Sequence, residues 1–580
     1  MPLERLPSRV PEQDPRERAL ARTLGQSELL ARVLLARGCD DPARARVLLR
    51  PDLSSLADPF SFVQMERAVD RIRAAIRGRQ RILIHGDYDV DGISGAVLLR
   101  QFLSLLEVDA TAFVPDRRDG YSFSAASFAA VESGGYALCI SVDNGTNATT
   151  WIERIQQAGC DVIVTDHHGT SDNVAPAYAV LNPRLPDAGY PDRDLAGCGV
   201  AFRLAAAVAQ SFTRGRREGD EFAGFLLDAM AYVALGTIAD VAPLRGENRA
   251  MVYHGLRALA VSKNPGIRAL LDCAGLANRT AEAEDIAFRI APLINAAGRM
   301  GHANDAVRLL TARGYQEAQE AAKVLERHNE QRRRIERELV ERVRIAAERC
   351  DDAVLVLAGD DWHAGVLGIV AARLAETTGR PAILVTFQGE VGRGSGRSSG
   401  GLDLREALHA CAPLLVSHGG HAAAAGLEIR REQFDAFRAA INAHAAHAVR
   451  TPNDLTLDGT VTLAELDPRE VRGLDQLGPF GAGNPRPAFV TRGVRMAGVP
   501  AIDARSGDLR FRVTQDGTLR PARMRSGTRW FERVRALDGP FDVVHAPRTP
   551  LRAEDGPVEL VVARILRPDG PSLAAPLEAD

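Results

Sequence analysis

The stretch Arg81-Ile-Leu-Ile-His-Gly-Asp-Tyr-Asp-Val-Asp-Gly92 joins a short apolar segment directly to a dense run of acidic residues. The apolar part has the length and composition of a buried β-strand, and a helical pattern follows over residues 95–106. Two more short apolar segments, 137–142 and 161–165, flank a helical stretch at 149–158. This alternation is typical of an α/β protein whose parallel sheet is covered by helices on both faces.

Polar clusters follow all three predicted strands at their carboxyl ends. The clusters are His85-Gly-Asp87, Asp143-Asn-Gly145 and Asp166-His-His168. Open parallel sheets bind their ligands at this edge, because the strands end there side by side. The three clusters are therefore predicted to form one site.

The spacing of Asp87, Asp89, Asp91 and Gly92 also matches the opening of an EF-hand calcium loop. That loop requires a glutamate at its twelfth position and a helix before it. The twelfth position here is Leu98, and the preceding segment is β-like, so the calcium loop is excluded. Each aspartate taken singly could instead cap the helix that follows it, and this alternative stays open.

A metal centre explains the combination better than helix capping does. The site would unite carboxylates and imidazoles from His85, Asp89, Asp91, Asp143, His167 and Asp240. So many acids repel one another unless cations neutralise them. Two divalent ions about 3.5–4 Å apart, sharing one carboxylate, are the usual solution and suit attack at phosphorus. Mixed imidazole and carboxylate ligands favour Mn²⁺, with Mg²⁺ as the alternative.

The rest of the chain divides into segments of different texture. A helical pattern without proline over 315–350 has an almost entirely polar middle and would span about 50 Å, as expected of a helix that bridges two domains through solvent; the alternative is a charged surface helix of one domain. The predicted segments are a loosely packed helical lead-in at 1–50, a catalytic domain at 51–314, the bridging helix at 315–350, a second α/β domain at 351–451, a β-barrel or sandwich at 452–570 and a tail at 571–580.

The second domain holds a glycine-rich stretch, 392–401, that includes Arg393, Ser395 and Arg397. Glycines let backbone amides approach an anion, and arginine then clamps it, so the stretch is predicted to be a phosphate-binding loop. A flexible surface loop is the alternative. Gly419-Gly-His421 follows it in the sequence.

Composition sets only broad limits on function. The net charge of −3 does not favour a nucleic-acid partner, and the seven cysteines form no CxxC pair. Zinc spacings and a disulfide framework are therefore not indicated. The N-terminus is polar, and no run of about 18 apolar residues occurs, so we expect a cytoplasmic protein without a membrane span.

Taken together, the motifs resemble those of the DHH phosphoesterases and their associated second domain. Those that carry this resemblance are His85-Gly-Asp-Tyr-Asp89-Val-Asp91-Gly, Ser141-Val-Asp143-Asn-Gly, Asp166-His-His168, Gly236-Thr-Ile-Ala-Asp240 and Gly419-Gly-His421. Others are similar to the single-strand-specific 5′→3′ exonucleases of that superfamily, namely Asn295-Ala-Ala-Gly-Arg299-Met, Trp362-His363-Ala-Gly-Val-Leu-Gly368, Gly394-Ser-Gly-Arg397-Ser398 and Gly478-Pro-Phe-Gly-Ala-Gly-Asn484-Pro. The resemblance covers roughly residues 50–570.

The resemblance implies roles for individual residues. Two metals would be held by the six ligands named above, with Asp143 as the bridge, and an activated water would attack the phosphodiester in line. His168 would contact the scissile phosphate, whereas Asp87 would be either a further ligand or an orienting group. The catalytic set is thus His168, Asp87, Asp89 and Asp143. Arg397 and Ser395, with Arg299 from the first domain, are predicted to bind the 5′-terminal phosphate or the first phosphates of the strand. Arg393, Gly420 and His421 complete the predicted substrate-binding residues.

It also implies a fold and partners. The C-terminal barrel would be of the oligonucleotide-binding (OB) type, with stacking and charge from 510–520 and from Trp530 to Arg533. The expected enzyme removes 5′-mononucleotides from single-stranded DNA in repair and recombination. It is expected to be a nucleoid-associated monomer whose partners include a single-strand-binding protein and a RecQ-type helicase. Two competing hypotheses are a small-substrate phosphoesterase, such as an oligoribonuclease or cyclic-dinucleotide hydrolase, and a non-catalytic replication scaffold.

Overall fold

The acidic run follows a strand inside a five-stranded parallel sheet of the catalytic domain, as the sequence predicted. The sheet has the order β2-β1-β3-β4-β5, and all neighbouring strands are parallel. Its strands are β1 Ile82–Gly86, β2 Ala110–Phe113, β3 Leu138–Val142, β4 Asp161–Thr165 and β5 Ala179–Leu181. The computed structural model describes residues 14–574 apart from 118–119, 121, 171–172, 214–218, 278, 400, 448–455, 505, 526, 551–556 and 568–569.

Alternate residues of each strand enter different cores, which is why the strands read as continuous apolar runs. Ile82 and Ile84 pack into the large core on one face, whereas Leu83 packs into a smaller core on the other. The helices of this domain are Met65–Arg77, Val90–Leu105, Ala125–Gly134, Thr149–Gln157, Gly197–Thr213, Gly219–Ala239, Gly246–Val261, Pro265–Cys273, Ala283–Asp285, Ala291–Met300 and Asn304–Leu310, with 3-10 turns at Leu53–Ser55 and Pro59–Ser61 and a π-helical turn at Ile286–Ile290.

One helix of the catalytic domain, Gly219–Ala239, is long and apolar enough over residues 220–239 to cross a membrane, by length and composition alone. Its sequence is broken by acidic residues, so the sequence pattern did not single it out. Most of the stretch, 61%, is buried within the protein, where it packs against Val90–Leu105, Gly197–Thr213 and Gly246–Val261. Burial in the core accounts for its apolar character.

The bridging helix runs from Tyr315 to Glu348. Its first half packs on the core of the catalytic domain through Ala318 and Leu325, and its second half packs on the next domain through Leu339 and Val343. The sequence predicted that the polar middle of this helix is surrounded by solvent, but in the structure one side of it is buried. Asn329 and Arg332 are buried there, and Arg332 forms an ion pair with Glu336 at 2.7 Å.

The second domain is a mixed sheet of order β6-β7-β8-β10-β9 with helices Ala364–Thr378, Leu404–Ala410 and Phe434–His447 and 3-10 turns at Ala412–Leu414 and Arg431–Gln433. Its strands are β6 Leu355–Gly359, β7 Ala382–Gln388, β8 Val391–Arg397, β9 Ser417–Gly420 and β10 Ala424–Arg430. The predicted glycine-rich loop is largely the central strand β8, so that prediction was wrong. Its backbone amides lie in a ladder with β7 and β10 rather than facing an anion.

The glycines of β8 have a packing role instead. A Cβ atom at Gly392 would lie 2.6 Å from Phe387, and one at Gly394 would lie 2.9 Å from Leu427. These glycines therefore face the apolar core of the domain, where no side chain fits. Because strand residues alternate between faces, Arg393, Ser395 and Arg397 share the opposite face.

The C-terminal domain is a closed five-stranded barrel of β12, β14, β15, β16 and β17, in which β12 pairs with both β14 and β16. This confirms the OB-like prediction. Its strands are β11 Gly459–Thr460, β12 Phe489–Met496, β13 Ala501–Ile502, β14 Leu509–Gln515, β15 Thr518–Met524, β16 Phe541–Arg548, β17 Glu559–Arg567 and β18 Gly570–Ala574, with helices Pro468–Leu474 and Phe531–Arg535 and 3-10 turns at Asp475–Leu477 and Gly527–Trp530. Strand β15, which contains Pro521 and two arginines, was not predicted.

Three N-terminal helices, Glu17–Leu24, Glu28–Ala36 and Pro42–Leu49, belong to the barrel rather than forming a loose lead-in. Leu30 and Leu34 are fully buried in the same core as Phe489 and Val543. Arg37 adds a two-point ion pair with Asp458 at 2.7 and 3.1 Å. The start and the end of the chain therefore fold as one unit.

The barrel docks on the catalytic domain through the loop after Leu477. Arg249 donates to the carbonyls of Leu477 and Gly478, at 2.9 and 2.7 Å. Glu284 on the catalytic side pairs with Arg525 and with Arg548 of the barrel. The motif Gly478 to Asn484, which the sequence linked to the exonucleases, is this joint.

Candidate metal centre and substrate cleft

The six predicted metal ligands lie on segments that meet at the carboxyl edge of the first sheet, and five of them fall into groups of ligand atoms close enough to hold a metal; His85 belongs to no such group among the described residues. His85 ends β1, Asp143 follows β3, and His167 follows β4. Asp89 and Asp91 lie at the start of the helix Val90–Leu105, and Asp240 follows the helix Gly219–Ala239.

On the β1 side, His85 and Asp89 are fixed by contacts that leave one further ligand atom each. His85 Nε2 lies 2.9 Å from Ser127 Oγ and its ring stacks on Phe123, whereas Nδ1 is buried and forms no hydrogen bond with the residues that the structure describes. Asp89 Oδ1 accepts hydrogen bonds from the amides of Asp91 and Gly92, at 2.9 and 3.2 Å. Asp89 thus caps its helix, and Oδ2 stays available to a metal.

On the β4 side, Asp91 and Asp143 face His167. Asp91 accepts hydrogen bonds from the amides of Gly197 and Cys198, at 2.7 and 3.0 Å, which fixes it at the start of another helix. His167 Nε2 lies 3.0 Å from Asp143 Oδ1, 3.6 Å from Asp240 Oδ2 and 3.9 Å from Asp91 Oδ2. Such distances place four ligand atoms around one point.

Close packing of glycines permits this convergence. A Cβ atom at Gly92 would lie 2.3 Å from the amide nitrogen of Asp87, and one at Gly236 would lie 2.4 Å from Asp91 Oδ1. A side chain at either position would push the acidic run or the helix carrying Asp240 out of place.

Three sets of residues each bring their ligand atoms within 4.8 Å of one another, and the sets share members. Asp143 belongs to two of them, so its position fits a carboxylate shared between two ions. Asp87 joins Asp89 and Asp143 in one set, which places it among potential ligands rather than behind His85. The sets are Asp143, His167 and His168; Asp91, His167 and Asp240; and Asp87, Asp89 and Asp143.

The electrostatics of this cluster suit cations. Burial first, and then the charges of Asp91 and Asp89, raise the pKa of Asp240 to about 8. The same causes hold the pKa of Asp143 well above its ordinary value. Burial lowers the pKa of His85 to about 4 and that of His167 to about 3, so both rings are neutral and able to ligate. The donor set therefore fits two divalent ions.

His168 differs from His85 and His167 because its ring is protonated and positively charged. Burial opposes its protonation, but a 2.8 Å hydrogen bond and the charge of Asp166 raise the pKa of His168 to about 9. Asp166 in turn accepts from the amides of His167 and Thr146. The His168 ring lies 6.4 Å from that of His421 in the second domain, nearly parallel to it. Gly420, whose φ is +131°, positions this turn.

A cleft of about 970 Å³ separates the first two domains, and arginines from both sides enter it. Arg299 donates to the carbonyl of Gly365 at 2.9 Å, across the domain boundary. Arg397 donates to Ser395 Oγ at 3.1 Å and lies against Gly368, where a Cβ atom would meet it at 2.7 Å. Burial first, and then the charges of Arg117, Arg332 and Arg397, lower the pKa of Arg299 to about 9.

Not all predicted binding residues behave alike. Arg393 is exposed and paired with Glu428 at 3.0 Å, at the margin of the cleft. In the barrel, Trp530 and Phe531 pack against the core, and Arg510 is paired with Asp503. These side chains therefore have contacts within the barrel, and their role in binding the strand stays a prediction.

Sequence reasoning missed two arginines of the site. Arg117 lies 4.2 Å from the ring centre of Tyr88, and its charge acts on Asp87 and Arg299. The charge of Arg184 acts on His167 and Asp240. Both follow the carboxyl ends of β2 and β5, the two strands that were not predicted, so the same rule would have found them.

Comparison with known proteins assigns all three domains. The model of the DHH family N-terminal domain matches residues 81–235, that of the DHHA1 domain matches 351–446, and that of the RecJ OB domain matches 457–547. The single-stranded-DNA-specific exonuclease RecJ of Dickeya dadantii is 34% identical, over 80% of this chain and 83% of its own length. The chain belongs to the RecJ family.

The RecJ of Bacillus subtilis is 31% identical over 88% of this chain, and the chain spans 64% of that relative's length. RecJ of Thermus thermophilus in complex with Mn²⁺ superposes with a TM-score of 0.80 at 30% identity, covering 97% of this chain and 80% of that one. The same protein with Mg²⁺ gives a TM-score of 0.75 at 29% identity and covers 97% and 78%. These complexes agree with the predicted divalent ions; the preference for Mn²⁺ stays a prediction.

Proposed function

We propose that this RecJ-family chain hydrolyses single-stranded DNA from its 5′ end and releases 5′-mononucleotides, acting in DNA repair and recombination. One observation carries the proposal above all. Tyr88 lies within reach of the charges of Asp87 and Asp89 and of those of Arg117 and Arg299, and the charge of Arg397 acts in turn on Arg299. Two clusters of opposite charge therefore lie close together, the carboxylates of the metal centre and the three arginines Arg117, Arg299 and Arg397. The carboxylate cluster suits the hydrolysis of a phosphodiester, and the arginine cluster suits the binding of a second phosphate group of the same strand.

The proposed chemistry uses residues whose protonation states are set in advance. When bound, two divalent ions lower the pKa of water and neutralise the charge that develops at phosphorus. His85, Asp89, Asp91, Asp143, His167 and Asp240 would hold them, with Asp143 shared and Asp87 as a further oxygen ligand. His168, protonated by its bond to Asp166, would donate a hydrogen bond to a non-bridging oxygen of the scissile phosphate.

The arginine cluster would bind the 5′-terminal phosphate. Among the described residues no carboxylate forms an ion pair with Arg299 or Arg397, whose side chains donate to carbonyl and hydroxyl oxygens instead. Three like charges held this closely require an anion. A terminal phosphate carries more charge than an internal one, so the cluster would select 5′ ends, with Ser395 and His421 completing the contacts.

A groove of about 990 Å³ leads from the centre along the joint with the barrel and would take the rest of the strand. Phe288, Phe480 and Val241 contribute apolar surface to it, and Arg486 and Arg548 contribute charge. Aromatic surface beside cations is the combination that binds single strands without sequence preference. The long substrate that this groove implies favours an exonuclease over a small-substrate phosphoesterase.

The test compares single strands labelled at either end in the presence of Mn²⁺. We expect labelled mononucleotide at once from 5′-labelled strands and only late from 3′-labelled ones, with no product for Asp89→Ala. A 5′-phosphorylated strand should react faster than its 5′-hydroxyl counterpart. Release from the 3′ end, or turnover of dinucleotides alone, would reject the proposal.

Partners and location rest on the same proposal. We propose a monomer that works with a single-strand-binding protein and a RecQ-type helicase, because the enzyme needs single strands that such proteins generate and protect. An enzyme with this substrate belongs in the cytoplasm, associated with the nucleoid. Pull-down of each candidate partner with the purified chain would test the first part.

A further inference from the structure

The residue after the predicted ligand Asp240 has an unusual backbone. Val241 lies at the end of the helix Gly219–Ala239 with φ +57°, in the left-handed region. Its amide donates to the carbonyl of Ile238 and the next amide donates to Thr237, both at 3.1 Å, which closes the helix. Glycine or asparagine usually occupies this position, because a β-branched side chain clashes with its own backbone there.

The strain at Val241 is not compensated by burial. Its side chain is 69% exposed, so the core gains nothing from it. Six described residues other than glycine have a left-handed backbone, and Val241 is the β-branched one among them. A residue held in such a conformation indicates a function that outweighs the strain.

The position of Val241 suggests that function. Its side chain lines the groove at the joint with the barrel, whose other walls include Phe480, Arg299 and Arg332. The neighbouring Asp240 Oδ2 lies 3.6 Å from His167 Nε2 in the metal centre. Val241 therefore stands where the groove meets the metals, and a strand that runs from one to the other passes over it.

We propose that Val241 is a specificity-determining residue whose isopropyl group packs against the base of the second nucleotide, the one that carries the scissile phosphate. This rests on the proposed function, in which the first nucleotide is anchored by its 5′-phosphate among the arginines. Contact with one base face would separate the second nucleotide from its neighbour and hold its phosphate over the metals. Arginine neighbours bind phosphates of any sequence, whereas this contact requires a base.

The test combines variants with a modified substrate. Val241→Ala and Val241→Gly should lower kcat/KM on a 5′-phosphorylated strand by about fivefold to tenfold, the factor expected from one apolar contact of this size. Val241→Ile keeps the contact and should stay within about twofold. On a strand whose second nucleotide lacks its base, kcat/KM of the wild-type protein should be lower than on the normal strand by the same factor. For the alanine and glycine variants, kcat/KM should be the same on both strands.

Glu107→Gly is the matched control, because Glu107 also has a left-handed backbone, φ +55°, at an exposed helix end. Both glycine variants should unfold at a higher temperature, but Glu107→Gly should leave kcat/KM unchanged on either strand. Two results would overturn the inference while the nuclease proposal stands. One is that Val241→Ala lowers kcat/KM relative to the wild type by the same factor on the normal and on the base-free strand; the other is that it does not lower kcat/KM at all. A wild-type protein inactive on both strands would overturn the nuclease proposal itself.

Discussion

The acidic cluster and the arginine cluster of the cleft are alike in that each concentrates one sign of charge. In the first, burial and mutual repulsion raise the pKa values of Asp91, Asp143 and Asp240. In the second, burial and repulsion lower those of Arg299 and Arg397. Both clusters are unfavourable alone, and each becomes favourable with its ligand, a metal ion in one case and a phosphate in the other.

They differ in how the chain builds them. The acidic cluster belongs to one domain and is formed mainly by adjacent strand ends. The arginine cluster takes Arg117 and Arg299 from the first domain and Arg397 from the second, so it exists only while the two domains are docked. Metal binding is therefore a property of the catalytic domain, whereas recognition of the strand end is a property of the assembly.

Removing the shared carboxylate should have the largest effect. Asp143→Asn keeps the shape of the side chain and tolerates the left-handed backbone at this position, φ +64°. We expect activity to fall by about 10³-fold or more, since the metals supply several kcal/mol of transition-state stabilisation. Without metal the variant should be more stable than the wild type, because repulsion is relieved, and Mn²⁺ should raise its unfolding temperature less.

The control for this prediction is Asp109→Asn, an exposed carboxylate paired with Arg81 on the surface. It should change neither activity nor the stabilisation by Mn²⁺. Undiminished activity of Asp143→Asn would separate catalysis from this cluster.

Changes in the arginine cluster should have intermediate effects that depend on the strand end. Arg397→Ala is expected to weaken binding of a 5′-phosphorylated strand by about 10- to 100-fold, the usual value of a charge-assisted contact. Binding of the 5′-hydroxyl strand and of Mn²⁺ should hardly change. Arg393→Ala offers the comparison, because Arg393 shares the face of β8 but is exposed and paired with Glu428; its effect should stay below about threefold.

Measurement of both strands by fluorescence anisotropy in Ca²⁺, to slow hydrolysis, would decide the matter. Equal weakening of phosphorylated and unphosphorylated strands in Arg397→Ala would move the 5′-phosphate elsewhere. Equal effects of the two substitutions would show that position along β8 does not matter.

The two clusters were also unequally predictable from the sequence. Strands β1, β3 and β4 are fully or almost fully buried, so their apolar runs were recognisable and their carboxyl ends gave the metal ligands. Strand β2 is half-buried and β5 has three residues, and with them Arg117 and Arg184 were missed. A strand can be recognised from its own sequence only where its burial requires a pattern of apolar residues there.

Two other differences between the sequence-based prediction and the structure are caused by contacts with residues on other elements of the fold. Strand β8 was read as a loop because its glycines are typical of loops, whereas they are required by Phe387 and Leu427 on neighbouring strands. The N-terminal helices pack on a barrel more than 400 residues away in the sequence, as in the contact of Arg32 with Thr460. Nothing in the local composition of either segment indicates its packing partner.

The smallest predicted effect concerns the acidic cluster without metal. The pKa of Asp91 is raised to about 6 and that of Asp240 to about 8, by burial first and then by neighbouring carboxylates, from 3.8 for a free aspartate. A carboxyl group whose pKa is raised in the folded state contributes stability below about pH 4 and loses it as the pH rises through the folded value. The lowered pKa values of His85 and His167 act in the opposite direction up to about pH 6.5, the value of a free histidine. The metal-free protein should therefore become less stable between about pH 6.5 and about pH 8, where Asp240 still titrates.

We expect the unfolding temperature in EDTA to fall across that window by at least about 3 °C, the shift that roughly 1 kcal/mol causes in a domain of this size. Asp240→Asn should flatten the upper part of the decrease, and saturating Mn²⁺ should remove it, because the cations stabilise the ionised carboxylates. The arginine cluster has no counterpart in this range, since the pKa of Arg299 stays at about 9. A metal-free protein whose stability rises from about pH 6.5 to about pH 8, with the same slope in Asp240→Asn, would mean that the carboxylates are already neutralised by groups of the protein itself.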